Sequence, residues 1–301
     1  MDSRKYELVS DDTKVVVLEN GSKEVLYRIK AVRDFGEIKK GAHGGYVAHG
    51  GNLSHEGDCW VYFDAKVYGD AQVYDDAQVY NGTKIYGDAK VYGNAYIGGN
   101  ATVCGSAKVY DNARICGDAL IGGQARVYGD AQAYGQAQIY GVSQIKDFAQ
   151  IYGEAIISGY AIVRGHAHIG ENAVISSHAQ VYGSAYVYGN AEIGGHAQVF
   201  GGAHVESSHI YGNALIGGSA RVKHGATICG DSEVYAFDDY IIIRNWWSSG
   251  RLITWTRRDN KWTAGCFHGT GEELIEKAYR DSTESGDNYK KVVEFINNIN
   301  S

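Results

Sequence analysis

Proline is absent from all 301 residues, and methionine occurs once. A loop-rich protein rarely dispenses with proline, whereas stacked strands do, because proline removes a ladder donor wherever it sits. Long apolar runs are also missing. None approaches the ~20 residues of a membrane span, so a membrane-embedded chain is not expected. The opening Met1-Asp-Ser-Arg-Lys-Tyr-Glu lacks the apolar region of a secretory signal, and the expected location is the cytoplasm. The five cysteines, Cys59, Cys104, Cys116, Cys229 and Cys266, are odd in number with no C-x-x-C spacing. They read as free thiols in a reducing compartment. Excess positive charge is lacking too: the net charge is −7 and the pI about 5.9, which argues against general binding to a phosphate backbone.

What is abundant is glycine, 41 residues of it, and a short repeat. From Val61 to Val205 an aliphatic residue recurs at every sixth position, with Ala133 the one exception. Four residues after each of them as far as Val199 stands Ala, replaced only by Thr83 and Ser143. The unit reads V/I-Y/G-G-D/N-A-x, as in Val91-Tyr-Gly-Asn-Ala-Tyr96. So short a unit cannot bury a core alone, and copies must coil and stack. Alternation turns the aliphatic residue and Ala inward and the residues flanking the aliphatic outward. Gly and Asp/Asn then meet at a corner, where their turn chemistry belongs. Three such sides close a triangular coil. Coils rise ~4.8 Å each, so about ten of them build a prism roughly 45–50 Å long. Each coil buries three aliphatic side chains, about 5–9 kcal/mol gross before chain entropy. One residue is missing between Val205 and Ile210, so Glu206-Ser-Ser-His209 should distort a corner.

The expected organisation is an N-terminal β-rich cap over residues 1–58, the β-helix over 59–236, and a C-terminal α+β capping module over 237–301. In the cap, Lys14–Leu18 and Val25–Val32 read as strands joined by a hairpin at Asn20-Gly21. Gly41–Gly57 reads as irregular coil. In the C-terminal module, Tyr240–Arg244, Arg251–Thr256 and Lys261–Thr263 read as strands, and Glu272–Arg280 and Tyr289–Ile299 as helices.

The hexads resemble those of the left-handed β-helix, or hexapeptide-repeat, superfamily, with an aliphatic residue first and a small one fifth. The resemblance implies an all-β solenoid, a left-handed parallel β-helix. A narrower set of segments is similar to YdcK-type proteins: Leu26-Tyr-Arg-Ile-Lys-Ala-Val-Arg-Asp-Phe-Gly36, Gly44-Gly-Tyr-Val47, Asn52-Leu-Ser-His-Glu-Gly-Asp-Cys-Trp-Val61 and Gly265-Cys-Phe-His-Gly-Thr270. This family is bacterial, phage and prophage, and is described loosely as transferases or polymer-forming proteins. Such relatives usually carry an acidic stretch where this chain has Ala48-His-Gly-Gly51. The resemblance supplies no catalytic residues.

Many hexapeptide-repeat proteins are CoA-dependent acyltransferases, whose sites, by resemblance, lie between subunits of a trimer beside a loop that interrupts the coils. Acyl transfer needs a general base near the acceptor and a donor for the oxyanion. The outward His168 and His204 are the candidates here, with acyl-CoA the implied cofactor. His166, His178 and His196 fall at corners and read as turn residues. No hexad step from Val61 to Val205 admits an inserted loop, so the reading leans against an enzyme and toward no cofactor. A second candidate pair is Cys266 with His268, a thiol and an imidazole two residues apart that would face one way in an extended segment. The even spacing of His43, His49 and His55 could hold a metal, but the glycine-rich stretch around them offers no readable second shell, so no metal is expected.

The outward columns carry more. One reads Tyr74, Tyr92, Tyr110, Tyr128, Lys146, Arg164, Tyr182 and Phe200, and beside it stand Lys90, Lys108 and Arg126. This amphipathic ladder is the candidate binding surface, although aromatic stacking also serves stability alone. Another side carries Leu120, Ile156 and Val174 next to the small residues Gly122, Ser158, Ser176 and Gly194. A flat apolar patch of that kind suggests self-association, with a trimer implied by the superfamily. The Thr-x-Thr array of an ice-binding solenoid is absent. The expectation is a non-catalytic scaffold or protein-binding β-helix, phage- or prophage-associated, with an unidentified protein partner and little role for nucleic acid.

Overall fold

Residues 4–18 and 20–300 are described by a computed structural model. The chain forms two compact units, 1–172 and 173–301. Among the described residues no helix is long and apolar enough to cross a membrane.

The first unit begins with a hairpin of β1 (Tyr6–Val17) and β2 (Lys23–Ala31), in register at Val15↔Val25. Gly21, at φ +79°, makes the turn, and Leu18 N donates to Ser22 O at 2.8 Å. The stretch read as coil holds a strand, β3 (His43–Val47), antiparallel to β2 and parallel to the rung Lys66–Val67. Its glycines have a reason other than looseness. A Cβ on Gly45 would lie 2.5 Å from Ala65 O, and one on Gly44 2.6 Å from Val61 O. Glycine lets this strand approach the first coil closely.

Two further groups close that coil. Asn52 is fully buried, and its Nδ2 donates to Gly69 O and Ala71 O at 2.8 Å while its Oδ1 accepts from the amides of Ala48 and His49. Lys5 is also fully buried. Its ammonium donates to Cys59 O at 2.9 Å, Gly57 O at 3.2 Å and Glu56 O at 3.3 Å, the donors and acceptors that a buried charge requires.

The coils follow as two-residue rungs on three faces. The first face starts at Trp60–Val61, the second at Lys66–Val67 and the third at Gln72–Val73. Successive rungs on a face pair in parallel eighteen residues apart, as in Lys90↔Lys108↔Arg126. Three amides of each hexad reach the next coil, for example Lys108 N to Ala125 O, Tyr110 N to Val127 O and Asn112 N to Gly129 O at 2.9–3.1 Å. The inward aliphatic residues and alanines are at most 1% exposed. This is the predicted inward/outward sorting.

Each corner turns on a residue in the left-handed region, two positions after the aliphatic. Glycine usually fills it, but Phe63, Asp75, Asn81, Asp111, Asp147 and Glu171 do so at φ +53° to +59°. After the third face, Asp and Gly alternate: Asp75, Gly93, Asp111, Gly129, Asp147, Gly165. Each Asp carboxylate accepts from the amide of the glycine one coil on, at 3.0–3.2 Å. The neighbouring corner position adds an amide ladder, Asn94 to Asn112 to Asp130.

The second unit carries rungs from Val174–Ile175 to Glu233–Val234, and the two units together hold about ten coils of parallel β-solenoid. The missing residue shortens one corner. Ser207 takes φ +46°, and Ser208 occupies the inward Ala place one residue early, fully buried, its Oγ donating to Glu206 O at 2.9 Å. The strand pairing persists, with Tyr186↔His204 and His204↔Arg221 in register.

The C-terminal module is an antiparallel sheet of Tyr240–Arg244, Leu252–Thr256, Lys261–Ala264 and Phe267–Gly269, followed by α1 (Gly271–Asp281) and α2 (Thr283–Asn300). The fourth strand and the first turns of α2 go beyond the sequence reading. Thr270 caps α1 in a reciprocal box with Glu273. Ile253, Trp255, Trp262, Leu274, Val293 and Ile296 form its core. Thr227 N donates to Thr254 Oγ1 at 3.0 Å and Ser232 Oγ to Asp259 Oδ2 at 2.6 Å, which seats the sheet on the last coil.

Candidate functional site

On the third face the tyrosine column is a true stack. Tyr74, Tyr92, Tyr110 and Tyr128 follow one another at 4.8–4.9 Å between centroids and 2–4° between planes. Parallel pairing eighteen residues apart puts rings on the strand spacing, which is why a six-residue repeat yields a continuous ladder. The inner ring faces are covered by neighbouring rings, so the surface presents edges and hydroxyls. That geometry leaves no gap in which a nucleobase can intercalate along the ladder. Burial, then the adjoining Tyr128 and Tyr92 hydroxyls, push Tyr110 up to about 12, and burial likewise raises Tyr74 and Tyr92. The hydroxyls therefore stay protonated donors at neutral pH.

Beside this row Lys90, Lys108 and Arg126 stand on consecutive rungs, and among the described residues none has an ion-pair partner. Like charges on adjacent strands repel, so the column has a standing cost. On the other flank run the corner carboxylates Asp75, Asp111 and Asp147. The cationic stripe ends where Gln144 replaces it and takes a hydrogen bond from Tyr128 OH at 3.3 Å. Lys146 lies 6.0 Å above the Tyr128 ring, next in the tyrosine column. In the second unit Tyr182 stacks on Phe200 at 5.3 Å.

The first face holds a groove of about 670 Å³ that sequence reasoning did not single out, lined by Gln78, Tyr96, Arg114, Gln132 and the corner ladder, and ending at His168. The signal was present as an amide-rich column spaced by eighteen, but it was eclipsed by the tyrosines. Phe148 and His166 stack at 4.8 Å along its edge. Burial, then the neighbouring His166, lower the pKa of His168. In the second unit His204 stacks on Tyr186 at 4.8 Å, and burial, then Arg221 and Lys223, lower its pKa. Both imidazoles favour the neutral form. His178 and His196 occupy corners as expected and stack at 4.8 Å.

Cys266 and His268 are not hydrogen-bonded. The segment is a tight hairpin with Ala264↔Phe267 in register and Gly265 at φ +62°, so Cys266 is an exposed turn residue. His268 lies on the strand, and its Nδ1 meets Thr263 Oγ1 at 3.1 Å. Thr263 Oγ1 in turn lies 3.6 Å from Cys229 Sγ, a thiol that burial pushes up in pKa. The three N-terminal histidines have separate engagements. His49 caps the Gly50–Asn52 turn, His55 stacks on Tyr6 at 4.3 Å, and His43 opens β3.

On the second face Leu120 and Ile156 are half-buried outward residues two rungs apart, and Gln138 stands between them. Val174 opens the first rung of the second unit and is half-buried.

A hexad with this inward pattern and these corners is a recognisable signature. Residues 149–165 match the family model of the YdcK β-solenoid repeat. The match is to the repeat and spans about one coil. A solved structure, of an Arabidopsis UDP-N-acetylglucosamine acyltransferase, is similar at 15% identity over 63% of this chain and 70% of that one, with a TM-score of 0.30. No curated protein sequence matches the chain.

Proposed function

We propose that this chain is a non-catalytic rigid scaffold that binds an acidic segment of a protein partner along the third face. The observation that carries the reading is the column Lys90, Lys108 and Arg126, without ion-pair partners, beside a row of protonated tyrosine hydroxyls. Carboxylates of a partner would relieve the repulsion within the column and accept from the hydroxyls. The stacked rings hold their positions at low entropic cost on binding. Self-association through the second face, up to a trimer, and the phage or prophage association implied by the YdcK-type resemblance form part of the same proposal. The location expected for such a scaffold is the cytoplasm.

The test is titration with a poly-glutamate peptide at two salt concentrations. Binding that weakens with salt and vanishes in the triple variant Lys90→Glu, Lys108→Glu, Arg126→Glu, with the fold intact, supports the reading. No binding at low salt removes the third face as the docking surface. In parallel, acetyl-CoA turnover over a panel of amine and sugar acceptors tests the alternative. Reproducible transfer that disappears in His168→Ala or His204→Ala would make the protein an acyltransferase.

A further inference from the structure

The second unit contains a cleft of about 560 Å³ lined by Ser219, Arg221, Lys223, His224, Phe237 and Tyr240. Its floor is fixed by Tyr240, whose hydroxyl donates to Arg221 O at 2.8 Å and accepts from Lys223 N at 3.1 Å. That clamp holds two consecutive outward cations of the first face at the cleft while leaving their side chains free of it. Phe237 also lines the cleft, 74% exposed, the most exposed of the large apolar side chains described.

The charges do not balance. Among the described residues Arg221 has no ion-pair partner. Lys223 reaches one carboxylate, Glu206, at 3.7 Å, and that carboxylate also accepts from Tyr188 OH at 3.4 Å. The acids of the adjoining loop are committed elsewhere, Asp238 to Arg257 at 3.1 Å and Asp239 to Arg258 at 3.2 Å. With Arg221 and Lys223 against Glu206, the cleft carries one net positive charge before any proton is added to His224, which lines it, or to His204 on the adjoining rung. His204 lies on the rung beside Arg221, between it and Tyr186, and burial first, then the Arg221 and Lys223 charges, lowers its pKa. Protonating His204 and His224 would raise the net charge to three.

We infer that this cleft binds the phosphate end of a small ligand that also carries a flat ring, of the nucleoside diphosphate class. A guanidinium offers paired donors to tetrahedral oxyanions, an ammonium adds a point charge, and Ser219 supplies a hydroxyl. The exposed Phe237 ring gives the base a stacking surface. A monocarboxylate would neutralise the cleft as found, but would leave the fork of Arg221 and the imidazoles underused. A dianion draws a proton onto His204, so binding is coupled to proton uptake. The site is separate from the third face and does not rest on the reading of that face.

The experiment is calorimetric titration of the full chain with ADP, inorganic pyrophosphate and adenosine, near pH 6.5, in two buffers of different ionisation enthalpy. ADP and pyrophosphate should bind and adenosine should not. Arg221→Gln should weaken both anions about tenfold or more, and Arg221→Lys should restore part of the loss. Phe237→Ala should weaken ADP but leave pyrophosphate unchanged. The buffer difference should show less proton uptake in the His204→Gln, His224→Gln variant than in wild type, the ligand's own proton release being common to both. Both Arg221 and Phe237 are exposed, and circular dichroism of each variant checks that the fold is kept. No saturable binding of either anion, or binding indifferent to Arg221→Gln, overturns the proposal. Equal effects of Phe237→Ala on both anions would remove the ring-bearing ligand class.

Discussion

Gly129→Asp places at one corner the same residue that the corners one coil before and one coil after already hold. The substitution should nevertheless destabilise the protein. Gly129 sits at φ +68°, whereas Asp111 and Asp147 sit at φ +56° and +59°. A Cβ on Gly129 would lie 2.9 Å from Asp147 N, closer than a Cβ settles, so the turn must shift. A non-glycine residue in the left-handed region costs roughly 1–2 kcal/mol. The new carboxylate would stand between two others at the ~4.8 Å rise of the strands, and each repulsion is worth ~1 kcal/mol in water. A new hydrogen bond to Asp147 N would offset about 1 kcal/mol. The net expectation is a loss of about 2 kcal/mol. Asp111→Gly is the matched control. It relieves the left-handed cost and loses one exposed hydrogen bond to Gly129 N, so it should be close to neutral. Urea unfolding with unchanged m-values reads both. Equal stability of Gly129→Asp and wild type would refute the claim that the alternation is required, and would mean that the corners tolerate Asp on every coil.

Val109→Asp buries a carboxylate between apolar layers and should cost more than about 3 kcal/mol, whereas Asp118→Ala at an exposed corner should cost under about 1 kcal/mol; equal melting shifts would contradict the inward/outward assignment. Asn52→Leu strands two carbonyls and two amides at the end of the first coil and should cost about 3 kcal/mol or more by urea unfolding. Glu192 is held below its ordinary range by the Tyr211 hydroxyl first and by His209. Its stabilising contribution is present at neutral pH and lost as pH falls from the ordinary value, about 4.3, through the lower folded one, so Tyr211→Phe should raise the Glu192 pKa by NMR and flatten that acid limb. Leu120→Lys with Val174→Glu should shift wild-type oligomers to monomers in sedimentation, and a monomeric wild type at micromolar concentration would end the second-face proposal.

Repetition made the interior legible. The six-residue step assigned every inward aliphatic residue, and eighteen-residue columns put Tyr74, Tyr92, Tyr110 and Tyr128 in one stack. The ends were less readable because they depend on contacts between distant segments. Nothing in the local sequence marks Lys5 for burial, because the carbonyls of Glu56, Gly57 and Cys59 that hold it come from more than fifty residues on. Gly44 and Gly45 read as coil until the first coil presses against them. Cys266 and His268 were judged by spacing in an extended strand, but a hairpin turn intervenes and Thr263 takes the imidazole. The cleft at Arg221 could not be read along the repeat, since Phe237 and Tyr240 arrive from outside it.

A chain of near-identical hexads must find its own place among many similar ones as it folds. A slip of one coil would keep every aliphatic residue inward and every alanine buried, so the hydrophobic core cannot detect the error. The alternating corners can. Asp75 would come to lie over Asp111 and Gly93 over Gly129, which sets carboxylate on carboxylate and takes the glycine amides away from their acceptors. From Asp75 to Gly165 the true period at that edge is thirty-six residues, two coils and not one. The edge works as a vernier scale on the solenoid, and a mutant made uniform there should still form a β-solenoid but should lose the means to count its own turns.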